Sequence, residues 1–221
     1  MWTFREEPHF PPVEAADADG LLGVGGQLTV PWLQAAYERG IFPWPICVGG
    51  GHILAWFSPD PRAVLELTRL HVSRRLRRRL RSQAYRVTFD TAFEPVIAAC
   101  AEPRSDDDGT WITPGLRRAY VQLHKAGFAH SVEVWRGEQL VGGLYGVALG
   151  GAFSAESMFH RETDTSKMAL VCLVEHLRER GFVLLDIQQM SPHLAQLGAT
   201  EIPRRDFLLR LAAARHLSVS F

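Results

Sequence analysis

His130-Ser131-Val132-Glu133-Val134-Trp135-Arg136, then the turn Gly137-Glu138, then Gln139 to Leu149 and Gly151 to Phe159, form the stretch whose reading decides the fold. The first segment alternates with the period of two expected of a strand, the turn sends the chain back, and two further strands follow closely. Three adjacent antiparallel strands are therefore expected. Downstream, about Ser166 to Arg180 reads as a helix stopped by Gly181. A mostly apolar strand, Phe182-Val183-Leu184-Leu185-Asp186-Ile187-Gln188, comes next, then a short helical piece near His193 to Leu197 and a last helix from about Asp206. Upstream, a helix opens at Thr113-Pro114, with proline in its first turn, and stops at Gly127. Before it lie a strand from Tyr85 to Phe89 and a helix carrying Val96 and Ile97, for which Thr91-Ala92-Phe93-Glu94 offers a capping box. This order predicts an α+β domain over residues 62–221, a mixed sheet flanked by helices.

Residues 1–61 have a different character. They are rich in glycine and proline, their one clear helix spans about Pro31 to Arg39, and Pro59-Asp60-Pro61 closes them off as a small, loop-rich N-terminal domain. Gly23, Gly25 and Gly26 read as a turn, because no strand-turn-helix frame with a third glycine in register surrounds them. The 221 residues give enough chain for a sizeable core, and the formal net charge is zero. Met1-Trp2-Thr3-Phe4-Arg5-Glu6-Glu7-Pro8 has no basic segment leading into an apolar one, and no run approaches the roughly 18 apolar residues of a membrane span, so no membrane partner and a cytoplasmic location are expected. Cys47, Cys100 and Cys172 form no CxxC pair, the nine histidines no HExxH, and neither GxSxG nor GxxxxGK[ST] occurs. No metal site and no cofactor are expected.

Against the neutral balance, Arg74, Arg75, Arg77, Arg78, Arg79 and Arg81 fall within eight residues. Ser73 can cap a helix on which Leu76 and Leu80 lie one turn apart, so the helix docks by its leucines and presents arginine to solvent. Guanidinium groups pair bidentately with phosphate, which makes a nucleic-acid backbone the first partner to consider. The chain holds 22 arginines against only Lys125 and Lys167, so arginine is favoured throughout and a solvated charged face is the competing reading.

Asp186 and Gln188 are two apart on an apolar strand, so both side chains are expected on one face while Val183, Leu185 and Ile187 take the other. Glu156 holds a comparable place at the end of the third strand, in Phe153-Ser154-Ala155-Glu156-Ser157-Met158-Phe159. If those strand ends adjoin, they make an acidic pocket beside apolar Phe153, Met158 and Phe159. The order of elements is shared by acetyl-CoA-dependent (GNAT-type) N-acyltransferases, an analogy that does not fix function. Such an enzyme needs a glycine-rich turn before the helix after the third strand, to hold pyrophosphate on backbone N–H groups. Here that connection is His160-Arg161-Glu162-Thr163-Asp164-Thr165-Ser166-Lys167, without glycine. An acyltransferase layout that lacks the coenzyme cradle and carries an arginine helix points to an acyl group delivered on nucleic acid, with charged tRNA the obvious donor.

The specific motifs agree. Gly20-Leu21-Leu22, Gly25-Gly26, Gly40-Ile41-Phe42-Pro43-Trp44, Trp56-Phe57-Ser58-Pro59-Asp60-Pro61-Arg62, Thr110-Trp111-Ile112-Thr113, Gly142-Gly143-Leu144-Tyr145-Gly146, Glu156-Ser157-Met158-Phe159, Asp186-Ile187-Gln188 and Leu197-Gly198-Ala199 occur in the order found in the leucyl/phenylalanyl-tRNA-protein transferase family, which the chain resembles from about Gly20 to Phe207. It departs from the family pattern at Phe57, Ile187 and His160, where the family usually has Trp, Cys and Ser. The resemblance implies transfer of Leu or Phe, less readily Met, from aminoacyl-tRNA to the α-amine of proteins beginning with Arg or Lys, a mark for N-end-rule degradation. It also implies that Asp186, Gln188 and Glu156 surround the reacting amine, that Trp44 and Trp111 lie near the terminal adenosine of the tRNA, and that Phe153, Met158 and Ile187 border the pocket for the transferred side chain. The six arginines would then contact the acceptor arm. Whether Asp186 takes the proton or only anchors the site stays open at the level of sequence. A coenzyme-A-dependent N-acetyltransferase and a non-catalytic RNA-binding module are the competing functions.

Overall fold

The computed structural model describes residues 7–103 and 110–221. Residues 1–6, read above for a leader, lie outside them. The N-terminal segment contains β1 (Leu21–Val24), α1 (Val30–Tyr37), β2 (Phe42–Pro43), β3 (Ile46–Val48), β4 (Gly51–Ile53) and β5 (Ala55–Phe57). β1, β5 and β2 form a small antiparallel sheet, and β3 and β4 a separate hairpin. There follow β6 (Arg62–Val64), α2 (Arg74–Leu80), β7 (Arg86–Phe89), α3 (Phe93–Cys100), α4 (Pro114–Lys125), β8 (Ala129–Arg136), β9 (Gln139–Leu149) and β10 (Ala152–His160). The chain ends with α5 (Thr165–Glu179), β11 (Leu184–Gln188), α6 (Pro192–Gln196), β12 (Thr200–Ile202) and α7 (Arg204–Ala214). No helix among the described residues is long and apolar enough to cross a membrane.

The main sheet has the order β12-β6-β11-β10-β9-β8-β7. It is mixed: β10 runs parallel to β11, and the other neighbours are antiparallel. The expected β8-β9-β10 meander is its centre. One face carries α3 and α4 together with the N-terminal segment, in a core that joins Trp32, Leu33 and Trp56 to Phe93, Val96, Tyr120 and Tyr145. The opposite face is covered by α5, whose Met168, Leu170, Val171 and Leu173 pack with Val132, Val134, Leu144 and Phe153. Gly146 is confined between these layers: a Cβ there would stand 2.3 Å from the Phe153 ring.

Three local expectations change. The capping box at Thr91-Ala92-Phe93-Glu94 does not form; Ala92 is the cap residue and has no side-chain acceptor to offer the first turn. Thr91 instead donates its hydroxyl to Glu133 Oε2 at 2.9 Å, where Thr88 also donates, at 2.5 Å. Glu133 is completely buried, and a buried carboxylate needs these donors more than an exposed helix end does. The strand read over Phe182 to Gln188 starts later than expected, as β11 from Leu184. Val183 precedes it and is 57% exposed, because β10 covers the strand only from Leu184, opposite Ala152. Alternation also fails at its far end, where Gln188 takes a positive φ of 64° and the register with β6 shifts between Asp186 and Gln188. That irregularity positions the site.

Candidate active site

β10 and β11 pair only from Ala152↔Leu184 to Ser154↔Asp186. Beyond that point β10 continues along β9, with Met158 opposite Leu144, while β11 pairs with β6 at Gln188↔Ala63. The two strands therefore part, and the carboxylates and amide singled out in the sequence lie where they do so. Asp186 is 1% exposed and Gln188 4%.

Each partner of Asp186 is in place. Arg62, at the start of β6 and itself 1% exposed, donates from Nε to Oδ1 at 2.8 Å and from Nη2 to Oδ2 at 2.7 Å. Ser154 donates its hydroxyl to Oδ2 at 3.1 Å, and the Gln188 backbone N–H donates to Oδ1 at 2.9 Å. A buried ion pair of this kind holds only when geometry is good and the remaining donors are used. Both conditions are met for Arg62: its Nη1 donates to the Gly40 carbonyl at 3.0 Å, and its guanidinium lies 4.9 Å from the Phe42 ring centroid and 4.5 Å from that of Phe207. Gly40 reaches this place with φ +70°, and a Cβ on it would meet Phe207 at 2.8 Å.

The Asp186 bond to its own i+2 N–H accompanies the register shift against β6 and the left-handed backbone at Gln188. The Gln188 side-chain amide then donates to Glu156 Oε1 at 2.6 Å. Tyr120, from α4, donates to Glu156 Oε2 at 2.9 Å, and the hydroxyl of Tyr37, the last residue of α1, is hydrogen-bonded to that of Tyr120. Burial pushes the Glu156 carboxyl up to about 7, hydrogen bonds from Tyr37 and Tyr120 oppose the rise, the Asp186 charge adds to it, and the Gln188 amide opposes it. The result is a group that can exchange a proton near neutrality, beside a carboxylate locked to a guanidinium.

A cavity of about 680 Å³ lies beyond the point where the strands part, lined by Met158, Phe159 and His160 of β10, Ala99 and Cys100 of α3, Ser166 of α5, and Ser191, Pro192 and His193 after β11. Its lining is mixed, and a carboxylate stands nearby where a coenzyme phosphate would be expected: Asp164, immediately before α5, takes φ +69° and pairs with Arg75 at 3.3 Å and Lys167 at 3.7 Å. An anion at that helix end would face like charge.

The structure thus brings Asp186, Gln188 and Glu156 into one hydrogen-bonded group and puts Met158 on the neighbouring cavity. Phe153 and Ile187 lie in the core beneath α5, both buried, with the Phe153 ring 5.4 Å from that of Phe221. Trp44 and Trp111 are half-buried and stacked on each other, centroids 4.5 Å apart and planes within 10°. On α2, Ser73 caps the helix through its bond from Leu76 N, Leu76 is buried, and Arg74, Arg75, Arg77, Arg78 and Arg81 are exposed. Arg79 is tied down, donating to the Thr163 carbonyl at 2.6 Å and to Tyr85 at 3.3 Å. Arg75, Arg78, Arg79 and Tyr85, with Arg136 from β8, line a basic recess of about 370 Å³. Sequence reasoning missed Arg62, Tyr37 and Tyr120. Arg62 left one signal, a charge opening the apolar strand Arg62-Ala63-Val64; the two tyrosines left none, since a buried hydroxyl reads like any core aromatic.

Comparison with known proteins adds an independent line. Residues 64–212 match the family described as leucyl/phenylalanyl-tRNA protein transferase, and residues 26–60 match that family's N-terminal domain. The chain is 56% identical over 207 residues to the leucyl/phenylalanyl-tRNA--protein transferase of Aromatoleum aromaticum, covering 93% of this chain and 86% of that one. It is 54% identical over 213 residues to the protein of the same name from Stutzerimonas stutzeri, covering 96% and 93%. Among solved structures, a GCN5-related N-acetyltransferase from Kribbella flavida is similar at 12% identity with a TM-score of 0.43, over 75% of this chain and 58% of that one.

Proposed function

Because the chain belongs to the leucyl/phenylalanyl-tRNA-protein transferase family and is an aminoacyltransferase, we propose that it moves Leu or Phe, and less readily Met, from aminoacyl-tRNA to the α-amine of proteins beginning with Arg or Lys. Such products are substrates for N-end-rule degradation, and a cytoplasmic location suits the reaction. The observation that carries this reading is the buried group Asp186, Gln188 and Glu156 where β10 and β11 part, beside the cavity lined by Met158. An aminoacyl ester is already activated, so aminolysis needs orientation, a neutral amine and charge stabilisation, with no covalent enzyme intermediate. An α-amine ionises near pH 8, which leaves roughly a tenth neutral at pH 7, so only modest base assistance is required.

In this reading Asp186 is an electrostatic anchor. Both of its oxygens already accept from Arg62, Ser154 and the Gln188 N–H, and its effect passes through Gln188. Gln188 and Glu156 meet the incoming amine. The aminoacyl end enters this cavity with its side chain toward Met158, which packs against the core that holds Phe153 and Ile187, and the terminal adenosine lies against the Trp44–Trp111 stack. An apolar pocket favours Leu and Phe over smaller side chains by about 1–3 kcal/mol per methylene-scale difference and rejects charged ones. The arginines of α2 and its flank, Arg74, Arg75, Arg77, Arg78, Arg79 and Arg81, hold tRNA phosphates and so position the donor without reading its sequence. The experiment is transfer of labelled Phe from Phe-tRNA to peptides beginning with Arg or Ala. Labelling of the Arg peptide alone is expected. No labelling of it, at saturating Phe-tRNA, would overturn the reading.

A further inference from the structure

Three tyrosines from three different elements converge on Glu156. Tyr120 of α4 donates to Oε2, Tyr37 of α1 is hydrogen-bonded to the Tyr120 hydroxyl, and Tyr145 of β9 lies alongside, its ring 5.3 Å from that of Tyr120 and nearly perpendicular to it. Tyr120 and Tyr145 are fully buried and Tyr37 is 4% exposed. Tyr37 also hydrogen-bonds Glu156 itself, so the two hydroxyls and the carboxylate form one connected set in which each bond polarises the next. Because α1 lies in the N-terminal segment, Tyr37 links that segment to a carboxylate of the main sheet.

We propose that Tyr37 and Tyr120 are positioning residues that fix the orientation of Glu156 and govern its charge, so that Glu156 is the group that accepts the proton of the acceptor amine. This rests on the aminoacyl transfer proposed above. The step balances without a further reactant. The amine nitrogen bonds the ester carbon, the bond from that carbon to the ribose oxygen breaks, and the proton lost by nitrogen passes to Glu156 and on to the departing ribose oxygen. Gln188, Tyr120 and Tyr37 each use one lone pair of the Glu156 carboxylate, leaving a fourth for the amine.

Electrostatics agree with this geometry. Burial, followed by the charge of Glu156, holds both Tyr37 and Tyr120 well above the usual tyrosine range, so they remain donors at any pH at which the protein works. Their hydrogen bonds counteract the burial of Glu156, which without them would be charged still less readily. The other groups facing Glu156 are Gln188 and Asp186 on β11, the latter neutralised by Arg62 of β6, and Tyr145 of β9, which burial and then the Glu156 charge also raise. Among the described residues the Tyr145 hydroxyl has no hydrogen-bond partner, so it contributes shape and no bond to the carboxylate.

The test is the titration of Glu156 itself, followed by carbon NMR of glutamate carboxyls in wild type, Tyr120→Phe and Tyr37→Phe, with the signal assigned by its loss in Glu156→Gln. One hydrogen bond to a charged group corresponds to about one pH unit, so an upward shift of about that size is expected in Tyr120→Phe and in Tyr37→Phe alike. The lower limb of the single-turnover pH profile should move with it, kcat at pH 7 falling about fivefold while KM for aminoacyl-tRNA stays within about twofold. An unmoved Glu156 midpoint in both variants, or a rate reduced equally at every pH, would refute the proposal. If Tyr120→Phe does not fold, 3-fluorotyrosine at position 120 decides: its more acidic hydroxyl must move the midpoint down, and no movement is a refutation. Failure of wild type to label an Arg peptide would instead sink the transfer reading, and the carboxyl titration separates the two because it needs no activity.

Discussion

Replacing Arg62 by Met should cost this protein a large part of its stability. The guanidinium makes two bonds of 2.7–2.8 Å to Asp186 and one of 3.0 Å to the Gly40 carbonyl, all out of water. Methionine fills much of the space between Phe42 and Phe207 but leaves Asp186 with only Ser154 and the Gln188 N–H, and no cation. Removing one partner of a buried pair costs about 3–5 kcal/mol, because the remaining charge is stranded. At about 2–4 °C per kcal/mol for a chain of this length, Tm should fall by roughly 10–15 °C. The stranded charge, rather than lost packing, is the stated cause, so Arg62→Met in combination with Asp186→Asn should recover most of the loss. Thermal unfolding of wild type, both single variants and the double variant closes a cycle whose coupling should be at least about 2 kcal/mol. A single variant within about 1 kcal/mol of wild type, or a double variant equal to the sum of the singles, would refute the reasoning.

Two other perturbations test the charges. Glu156→Gln removes a carboxyl that holds its proton up to about pH 7 when folded but ionises near 4.5 when unfolded. The folded state therefore binds more protons in that window, and wild-type stability must fall as pH rises through it, by about 3 kcal/mol in total. Urea unfolding at several pH values should show the variant gaining on wild type by that amount between about pH 4 and 8, and parallel curves would contradict the burial assigned to Glu156. On α2, Arg78→Glu with Arg81→Glu changes two exposed arginines that make no ion pair among the described residues. The salt dependence of tRNA binding should lose about one unit of slope per phosphate contact removed, with the preference between Leu and Phe unchanged; a changed preference would mean the helix lies on the aminoacyl end.

Glu156, Asp186 and Gln188 were legible as candidates because polar residues interrupting apolar strands at their ends are conspicuous in a one-dimensional pattern. Their partners were not. Arg62 is 124 residues from Asp186 in sequence and Tyr120 is 36 from Glu156, and neither spacing carries a periodicity. The Thr91 capping box was a sound local signal that lost to a long-range one, the need of buried Glu133 for donors.

By itself the sequence determined the meander, the helices around it, the arginine face of α2 and the family. Those features rest on side-chain period, turn residues and collinear motifs, which are properties of neighbours along the chain. Only the tertiary structure decided which carboxylate is paired with a cation and which is buried among neutral donors. Asp186 and Glu156 are the same chemical group in similar strand positions; a guanidinium folded against one and two tyrosyl hydroxyls against the other make them different, since charge at short range in a medium that excludes water outweighs anything the local sequence encodes.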